Sequence, residues 1–588
     1  MVLLDGLFLI GKSQKAWSQT KFGIHMRQEL PHQVGDLSLV YSKPNRQRAT
    51  IKKRRDNNGV AIPSPQSQSQ PDFALFHGPS LVGWTNVELL MEHSSKSYTD
   101  TTHVNEVHNK WCKNAEQVFR YQPFRRFLLG ILFIRPVAYI SYLDHTENVL
   151  SSPLLIMQER SHTILLQEFL TAFIAQPDHR GQNLDARERD GDIYFAQSWW
   201  HEIDVLYYKP LIHSRHVRVA VVEPTKDLAS TNQGQKSSSE SDAVELSASG
   251  VVMKTSWEYI PPVGAPPSTE VDILKVLFEA NVKGLPYPYY LDKAVVGDSH
   301  GTVTTARFPD YVTHALPAKS NGRSRQLTQV MLSYCQPLTS IVTSVDSRML
   351  MRIVRDAAIV YYDAYISPDH GFLHGDISPG NIVIPLPNSA LTGGITSEDR
   401  AGSLIDWNLA IDANGMTNSH PTGGTPGYTS PWFHSLGTIT CRRLAHDMDS
   451  FFLVLLQSIS VVPNELRAEH CPAMKFLKAV ADLHLGPEQS IPQSLWTSLE
   501  AFMARKFAED IKFLICMKKL GNVLCTGRRI DETVEEDRIR FRECMKVFDS
   551  YFGDYKGETE CKNLEIQRSE REDQNASPPI QYMSGRRK

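Results

Sequence analysis

Two polar side chains in one short loop have the types and the spacing that transfer of a phosphoryl group requires. Asp376 and Asn381 stand five positions apart, and the apolar run Ile382-Val383-Ile384 follows directly. Phosphoryl transfer needs a carboxylate that orients the incoming hydroxyl and accepts its proton, and an amide oxygen that helps to hold Mg²⁺. We therefore expect Asp376 to be the catalytic base and Asn381 to be a metal ligand on the same loop.

A second candidate metal ligand follows further along the chain. Asp406 ends the strand-like run Leu404-Ile405 and is followed by Trp407. Kinases place the aspartate that bridges Mg²⁺ to the phosphates of the nucleotide at such a strand end. An aspartate before an aromatic residue is also common in ordinary turns. The assignment of Asp406 therefore depends on the loop that precedes it.

Two later segments agree with this interpretation. Residues 424–428, Gly-Thr-Pro-Gly-Tyr, fit the substrate-binding end of a kinase activation segment. Residues 446–452 open an apolar helix, and their first aspartate, Asp447, is expected to brace the catalytic loop from beneath. Each segment alone is weak, but their order and spacing predict a kinase-like fold.

Upstream of the loop, a lysine and a glutamate complete the set. Lys254 ends a short apolar run, and Glu270 begins a helical pattern that also contains Asp272 and Glu279. In kinases the lysine steadies the α- and β-phosphates, and the glutamate holds the lysine. The alternative is a surface lysine and an acid that caps a helix. The downstream loop favours the nucleotide-binding roles for both residues.

The composition is that of an ordinary globular protein. The 588 residues include 41% apolar and 22% charged residues, and 62 Lys and Arg against 65 Asp and Glu give a net charge of −3. No overall basic field attracts nucleic acid, so no specific nucleic-acid binding is expected. The apolar runs are shorter than the 20 or so residues that span a bilayer, so no membrane partner is expected.

Cysteine usage and local charge suggest where the protein is found. The eight cysteines are scattered and form no Cys-x-x-Cys pair, which favours a reduced intracellular compartment. Residues 43–55 contain seven Lys and Arg and no acid, with a core that runs from Lys52 to Arg55. Such a cluster is typical of a nuclear address or of a solvated basic arm. The expected location is the cytoplasm or the nucleus.

The domain organisation follows from changes in composition and periodicity. The predicted class is α+β, a bilobal kinase-like fold with a β-rich N-lobe and a helical C-lobe, preceded by a separate α+β domain. The predicted segments are a disordered basic and polar arm at 1–72, an N-terminal α+β extension at 73–225, a polar linker or insert at 226–249, a kinase-like domain at 250–555 with its lobes meeting near residue 335, and a disordered tail at 556–588.

These residues together resemble the fungal-type protein kinases, over about residues 80–460. The resemblance implies ATP and Mg²⁺ as cofactors, a protein substrate phosphorylated on Ser or Thr, and an N-terminal extension fused to the kinase fold. It rests on five segments, which are Gln122-Pro123-Phe124-Arg125-Arg126-Phe127-Leu128-Leu129-Gly130, Val252-Met253-Lys254-Thr255-Ser256-Trp257, Leu373-His374-Gly375-Asp376-Ile377-Ser378-Pro379-Gly380-Asn381, Leu404-Ile405-Asp406-Trp407-Asn408-Leu409-Ala410 and residues 446–452.

The chain departs from the general kinase pattern at several positions. No Gly-x-Gly-x-x-Gly precedes Lys254, Gly375 stands where kinases often have arginine, and Asn408 replaces a glycine. Trp432 stands where the glutamate of Ala-Pro-Glu is expected. These losses keep open a pseudokinase or interaction module with weak nucleotide binding. The His-Gly-Asp triplet at Gly375 keeps open a small-molecule kinase of the aminoglycoside type.

The N-terminal extension of this family also resembles the core of a nuclease. Glu88 belongs to a Val-Glu-Leu run after Trp84, but Leu90 stands where a catalytic lysine would be. A working nuclease site is therefore not expected.

Overall fold

The computed structural model describes 33–34, 37–41, 71–77, 84–156, 158–175, 180–181, 187–189, 192–195, 198–209, 215–225, 250–260, 267–293, 295–296, 301–302, 304–305, 324–367, 371–387, 389–413, 424–425, 427–430, 442–458, 476, 479, 491–500, 510–525 and 533–553. The predicted basic run at 43–55, the linker at 226–249, Trp432 and the tail at 556–588 lie outside these residues. Among the described residues, no helix is long and apolar enough to span a membrane.

The chain divides into two compact units. The first unit comprises Met1–Lys236, Met253–Ile260 and Asp292–Gln329, and the second comprises Ser237–Val252, Pro261–Leu291 and Val330–Lys588.

Strands and helices are numbered here in chain order. The strands are β1 Gln33–Val34, β2 Leu37–Tyr41, β3 Phe73–His77, β4 Val87–Ser94, β5 Phe127–Ile134, β6 Val137–Asp144, β7 Asn148–Leu150, β8 Arg187–Arg189, β9 Asp192–Phe195, β10 Ser198–Lys209, β11 Val217–Pro224, β12 Val251–Tyr259, β13 Pro288–Lys293, β14 Val295–Val296, β15 Gly301–Thr302, β16 Arg325–Ser333, β17 Cys335–Pro337, β18 Phe372–Leu373, β19 Ile382–Pro385, β20 Ser403–Leu404 and β21 Ile411–Asp412. The α-helices are α1 Thr101–Tyr121, α2 Arg160–Ala175, α3 Glu270–Glu279, α4 Leu338–Ile341, α5 Ser347–Tyr365, α6 Leu444–Ser458, α7 Gln493–Glu500, α8 Ile511–Cys525 and α9 Val534–Phe552.

The first unit contains a sheet with a helix packed on each face. Its seven strands, β1 to β7, lie in sequence order, and β4 and β5 are parallel because α1 crosses over between them. Leu128 and Leu132 pack in one core with α1, whereas Leu129 and Ile131 pack in the other core with α2. Strand β5 is therefore buried on both faces, which explains its uninterrupted apolar sequence.

A glycine allows α1 to approach this sheet closely. A Cβ atom added at Gly130 would lie 2.0 Å from Nε1 of Trp111, which projects from α1 and is fully buried. Any larger residue at position 130 would separate the helix from the sheet. The terminal glycine of the 122–130 segment therefore has a packing role.

Arg125 of the same segment is buried and donates hydrogen bonds to several main-chain carbonyls. Arg125 donates from Nε to the Phe127 carbonyl (2.9 Å), from Nη1 to the Val87 carbonyl (2.7 Å) and from Nη2 to the carbonyls of Glu88 (2.9 Å) and Arg180 (2.7 Å). Its Nη2 also lies 3.3 Å from a carboxylate oxygen of Glu88. Glu88 of the nuclease-like run is thus an ion-pair partner in the interior.

Replacing Arg125 by lysine should strongly destabilise the first unit. A lysine keeps the charge but cannot reach several carbonyls in different directions, so buried acceptors lose their donors. We expect a loss of about 3 kcal/mol in the free energy of unfolding, measured by denaturant titration. The matched control Arg160→Lys, at an exposed position that begins α2, should change the stability little. Equal stabilities of the two variants would contradict this role.

A second sheet joins the predicted N-terminal extension to the predicted N-lobe. Its strand order is β13-β16-β12-β11-β10-β9-β8. Strands β8 to β11 lie within the predicted extension at 73–225, yet they share the sheet with β12, which carries Lys254. The predicted separation of the two domains is therefore not confirmed, because main-chain pairing continues across the proposed boundary.

Helices form the interior of the second unit. Helix α5 begins after Asp346, whose side chain accepts a hydrogen bond from the Met349 amide (2.7 Å). The buried face of α5 packs into one core with residues of α6, α8 and α9, and the rings of Tyr362 and Phe541 stack with centroids 4.0 Å apart. The apolar residues at helical spacing between 348 and 365 predict an amphipathic helix, which α5 confirms, and the described residues after 447 are mostly helical.

Candidate active site

The catalytic loop lies between two short strands of the second unit, β18 and β19. Strand β19 pairs with β20 so that Ile382 faces Leu404, and the Ile405 amide donates to the Asn381 carbonyl (3.0 Å). This pairing sets the end of β20, and therefore Asp406, beside the loop. The structure thus brings together three of the predicted site residues, Asp376, Asn381 and Asp406.

His374 ties the loop to the end of β20. Its Nε2 lies 3.1 Å from the Ile405 carbonyl, and its Nδ1 accepts from the Asp376 amide (3.3 Å). The two partners assign the proton to Nε2 and leave Nδ1 as the acceptor. Burial lowers the pKa of His374, which favours this neutral form, although the carboxylates of Asp447, Asp376 and Asp406 act in the opposite direction. His374 therefore holds the loop in place.

Asp406 adopts a left-handed backbone conformation, with φ 64° and ψ 62°. Aspartate tolerates this region better than most residues, and strained backbone is concentrated at functional sites. The next residues, Trp407–Leu409, form a 3₁₀ turn, and Asn408 Nδ2 donates to Asp406 Oδ1. Asn408 is not among the residues with positive φ, so the backbone does not require a glycine there. Its side chain instead orients the aspartate.

The donor atoms at this end of the loop suit magnesium. Asn381 Nδ2 donates to the Asp376 carbonyl (2.7 Å), which turns the amide so that its oxygen is the remaining ligand atom. Asp376, Asn381 and Asp406 are each partly exposed. No group of three His, Cys, Asp or Glu in the described residues could hold a metal. Mg²⁺ needs only one or two protein oxygens because phosphates and water complete its shell, so Asn381 and Asp406 fit it.

A threonine of the predicted activation segment contacts the candidate base. Thr425 donates to Asp376 Oδ1 from both its amide and its Oγ1, each at 2.6 Å. This leaves Oδ2 as the carboxylate oxygen available to an incoming hydroxyl. The sequence identified the segment at 424–428 but not this residue. The neighbouring glycines and proline in the sequence do not indicate that Thr425 contacts Asp376.

The predicted brace beneath the loop is confirmed. Asp447 lies near the start of α6, is fully buried, and accepts from the Gly375 amide at Oδ2 (3.2 Å).

Glu270 is the first residue of α3 and is almost completely buried. The other two acids of the helix have other environments: Asp272 hydrogen bonds with the N-cap residue Thr269, and Glu279 is exposed. Helix α3 packs against the turn Trp407–Leu409. Glu270 is therefore the acid of this helix that is best placed for the predicted role.

Lys254 lies on β12, with most of its side chain buried. On an extended strand, Ser256 and Glu258 share its face, and both hydrogen bond with Thr328 of the neighbouring strand β16 (2.9 and 3.1 Å). Lys254 and Glu270 belong to different compact units. The pairing of these two residues stays a prediction.

The strand hairpin before Lys254 was not anticipated from the sequence. Strands β10 and β11 pair antiparallel, with register shifts, and β11 lies beside β12. In kinases, a glycine-rich loop covers the phosphates. Residues 210–216, which join this hairpin, contain no glycine, and their last two residues are Arg215 and His216. The alternating apolar residues of 217–222 were the available signal for β11.

These features are those of the kinase class. Lys254 lies in a β-rich segment, the catalytic loop lies in a mostly helical segment, and Asp406 lies just after the end of β20. A family model for fungal protein kinases matches residues 77–459, which is more than half of the chain, and the chain therefore belongs to this family. No curated protein matches the chain. The matched residues include β4 to β12 as well as the catalytic loop, so the family includes the N-terminal block.

The buried His374 should make stability depend on pH. In the unfolded chain the ring takes up a proton below about pH 6.5, whereas the folded state resists protonation until a lower pH. The unfolded state then binds more protons in this window, so stability should fall as the pH drops through it. We expect denaturant midpoints between pH 7.5 and 5.5 to fall less steeply for His374→Gln than for the wild type. Parallel profiles would contradict the assignment of the neutral ring.

Proposed function

We propose that the protein catalyses ATP- and Mg²⁺-dependent phosphoryl transfer to Ser or Thr hydroxyls of a protein substrate. The observation that carries this proposal is the convergence of Asp376, Asn381 and Asp406 in one partly exposed site, with Asp406 in the left-handed conformation. Membership of the fungal protein kinase family supports the reaction class.

Each residue has a role that follows from its contacts. Asp376 would orient the acceptor hydroxyl through Oδ2 and accept its proton, because Thr425 occupies Oδ1. Asn381 and Asp406 would hold Mg²⁺, which neutralises charge on the phosphates. Lys254, supported by Glu270, would steady the α- and β-phosphates. Positioning and charge neutralisation supply most of the rate in such reactions.

The Asp376→Asn variant should lose phosphoryl transfer while it keeps its fold. The amide has the same shape and still offers an oxygen to Thr425, but it cannot accept a proton. We expect kcat to fall by about 10²- to 10⁴-fold, measured with purified protein, labelled ATP, Mg²⁺ and a protein acceptor. The control Asp399→Asn changes an aspartate whose hydrogen bonds lie within its own turn, and it should retain activity. Equal incorporation by wild type and Asp376→Asn would reject the proposed mechanism.

The metal role of Asp406 can be tested by binding. Asp406→Asn keeps an oxygen for the Asn408 hydrogen bond but removes the negative charge that Mg²⁺ requires. Mg-ATP should raise the melting temperature of the wild type, and the shift should be largely lost in Asp406→Asn. ATP with EDTA provides the metal-free control. A full Mg²⁺-dependent shift in the variant would show that the metal is held elsewhere.

A second candidate function is a pseudokinase that binds nucleotide without turnover. The observation that favours it is the hairpin β10–β11, whose connection at 210–216 lacks glycine. Mg-ATP stabilisation without transfer to any acceptor would support this alternative. Gly375, the residue that keeps a small-molecule kinase open, also has a packing role, because a Cβ there would lie 2.5 Å from the Leu409 carbonyl oxygen.

A further inference from the structure

Gly375 leaves no space for a side chain in front of the catalytic aspartate. Its φ is 84°, and an added Cβ would lie 2.5 Å from the Leu409 carbonyl oxygen, closer than real Cβ atoms approach. Nη1 of Arg442 would lie at 3.5 Å, in ordinary contact. An arginine at this position could therefore not be accommodated. The guanidinium of Arg442, which follows the activation segment in the chain, instead lies beside the loop.

The contacts of Arg442 connect it to the loop through one carboxylate. Its Nε and Nη2 both lie 3.0 Å from Asp447 Oδ1, and the other oxygen, Oδ2, accepts from the Gly375 amide. Arg442 and Asp447 are both almost completely buried. Both nitrogens converge on Oδ1, so Oδ2 is left to the Gly375 amide. The position of the Gly375 amide, one residue before Asp376, therefore depends on Arg442.

Thr425, Gly427 and Ser430, which precede Arg442 in the chain, are held by hydrogen bonds from uncharged donors. Gln457 of α6 donates to the Gly427 carbonyl (2.8 Å), and Ser430 donates to Asp449 of the same helix. Together with the two hydrogen bonds from Thr425 to Asp376, four hydrogen bonds hold Thr425, Gly427 and Ser430 in place. None of them needs a phosphate group.

We propose that Arg442 is a positioning residue that sets the catalytic loop through Asp447, and that it does so without phosphorylation of the activation segment. A kinase arginine that binds a phosphorylated loop must reach that phosphate, whereas Arg442 is buried on Asp447. This inference rests on the proposed function only in its catalytic consequence. The structural link from Arg442 to the loop is independent of it.

The test compares Arg442→Met with Arg443→Met. Arg443 is the matched control, because it follows Arg442 directly and its ion pair is with Asp537 of α9 (3.0 Å). The first readout is hydrogen exchange of the peptide 372–381, which contains the Gly375 amide. The second is the separate measurement of kcat and of KM for ATP.

Arg442→Met should increase exchange at 372–381 by about tenfold or more and lower kcat by about 10²-fold, with KM for ATP unchanged. Arg443→Met should leave both readouts at wild-type values. Arg442→Lys restores the charge without the two-nitrogen contact and should give intermediate values of both. Unchanged exchange and kcat in Arg442→Met would overturn the proposal.

If Arg442→Met does not fold, the double variant Arg442→Met/Asp447→Asn removes both charges and leaves no uncompensated carboxylate. The double variant should show the same faster exchange at 372–381, and wild-type exchange there would overturn the proposal.

Phosphatase treatment of the wild type should leave kcat unchanged, and a loss of activity would overturn the phosphate-independent part. If the wild type transfers no phosphate at all, the proposed function fails, while the exchange readout still decides the role of Arg442.

Discussion

A buried carboxylate is the constraint on which the geometry of the catalytic loop depends. Asp447 is removed from water, so it must be satisfied by partners within the protein. Those partners are the guanidinium of Arg442 and the amide of Gly375. Because they come from different parts of the chain, the loop, the end of the activation segment and α6 are fixed together. The neutral His374 extends the same arrangement to the strand that ends at Asp406.

The parts of the fold that the sequence predicted are those with local signals. The helical pattern after Glu270 and the amphipathic pattern of α5 are periodic over several turns, and the structure contains both helices. The site residues Asp376, Asn381 and Asp406 were identified because the chemistry of phosphoryl transfer fixes their types and their spacing within short segments. Residue types and spacing within a short segment can be read from a single sequence.

The parts that were missed depend on contacts between distant residues. The hairpin β10–β11 has no tight glycine turn to mark it, and its strands carry register shifts and a mixture of exposed and buried residues. Thr425 and Arg442 act on the loop from positions far along the chain, and neither lies in a pattern that indicates its partner. The predicted domain boundary is not confirmed for a related reason, since a polar linker in sequence does not show whether the strands on its two sides pair.

The order of strands in the second sheet has a consequence for how the protein is made. Strand β12 lies between β11, which precedes it in the chain, and β16, which is synthesised much later. Until residues 325–333 leave the ribosome, one edge of the strand that carries Lys254 has no neighbour, and open edges of this kind promote association between chains. A fragment that ends before β16 would retain this open edge permanently. The second sheet is therefore complete only when the chain has been extended through β16.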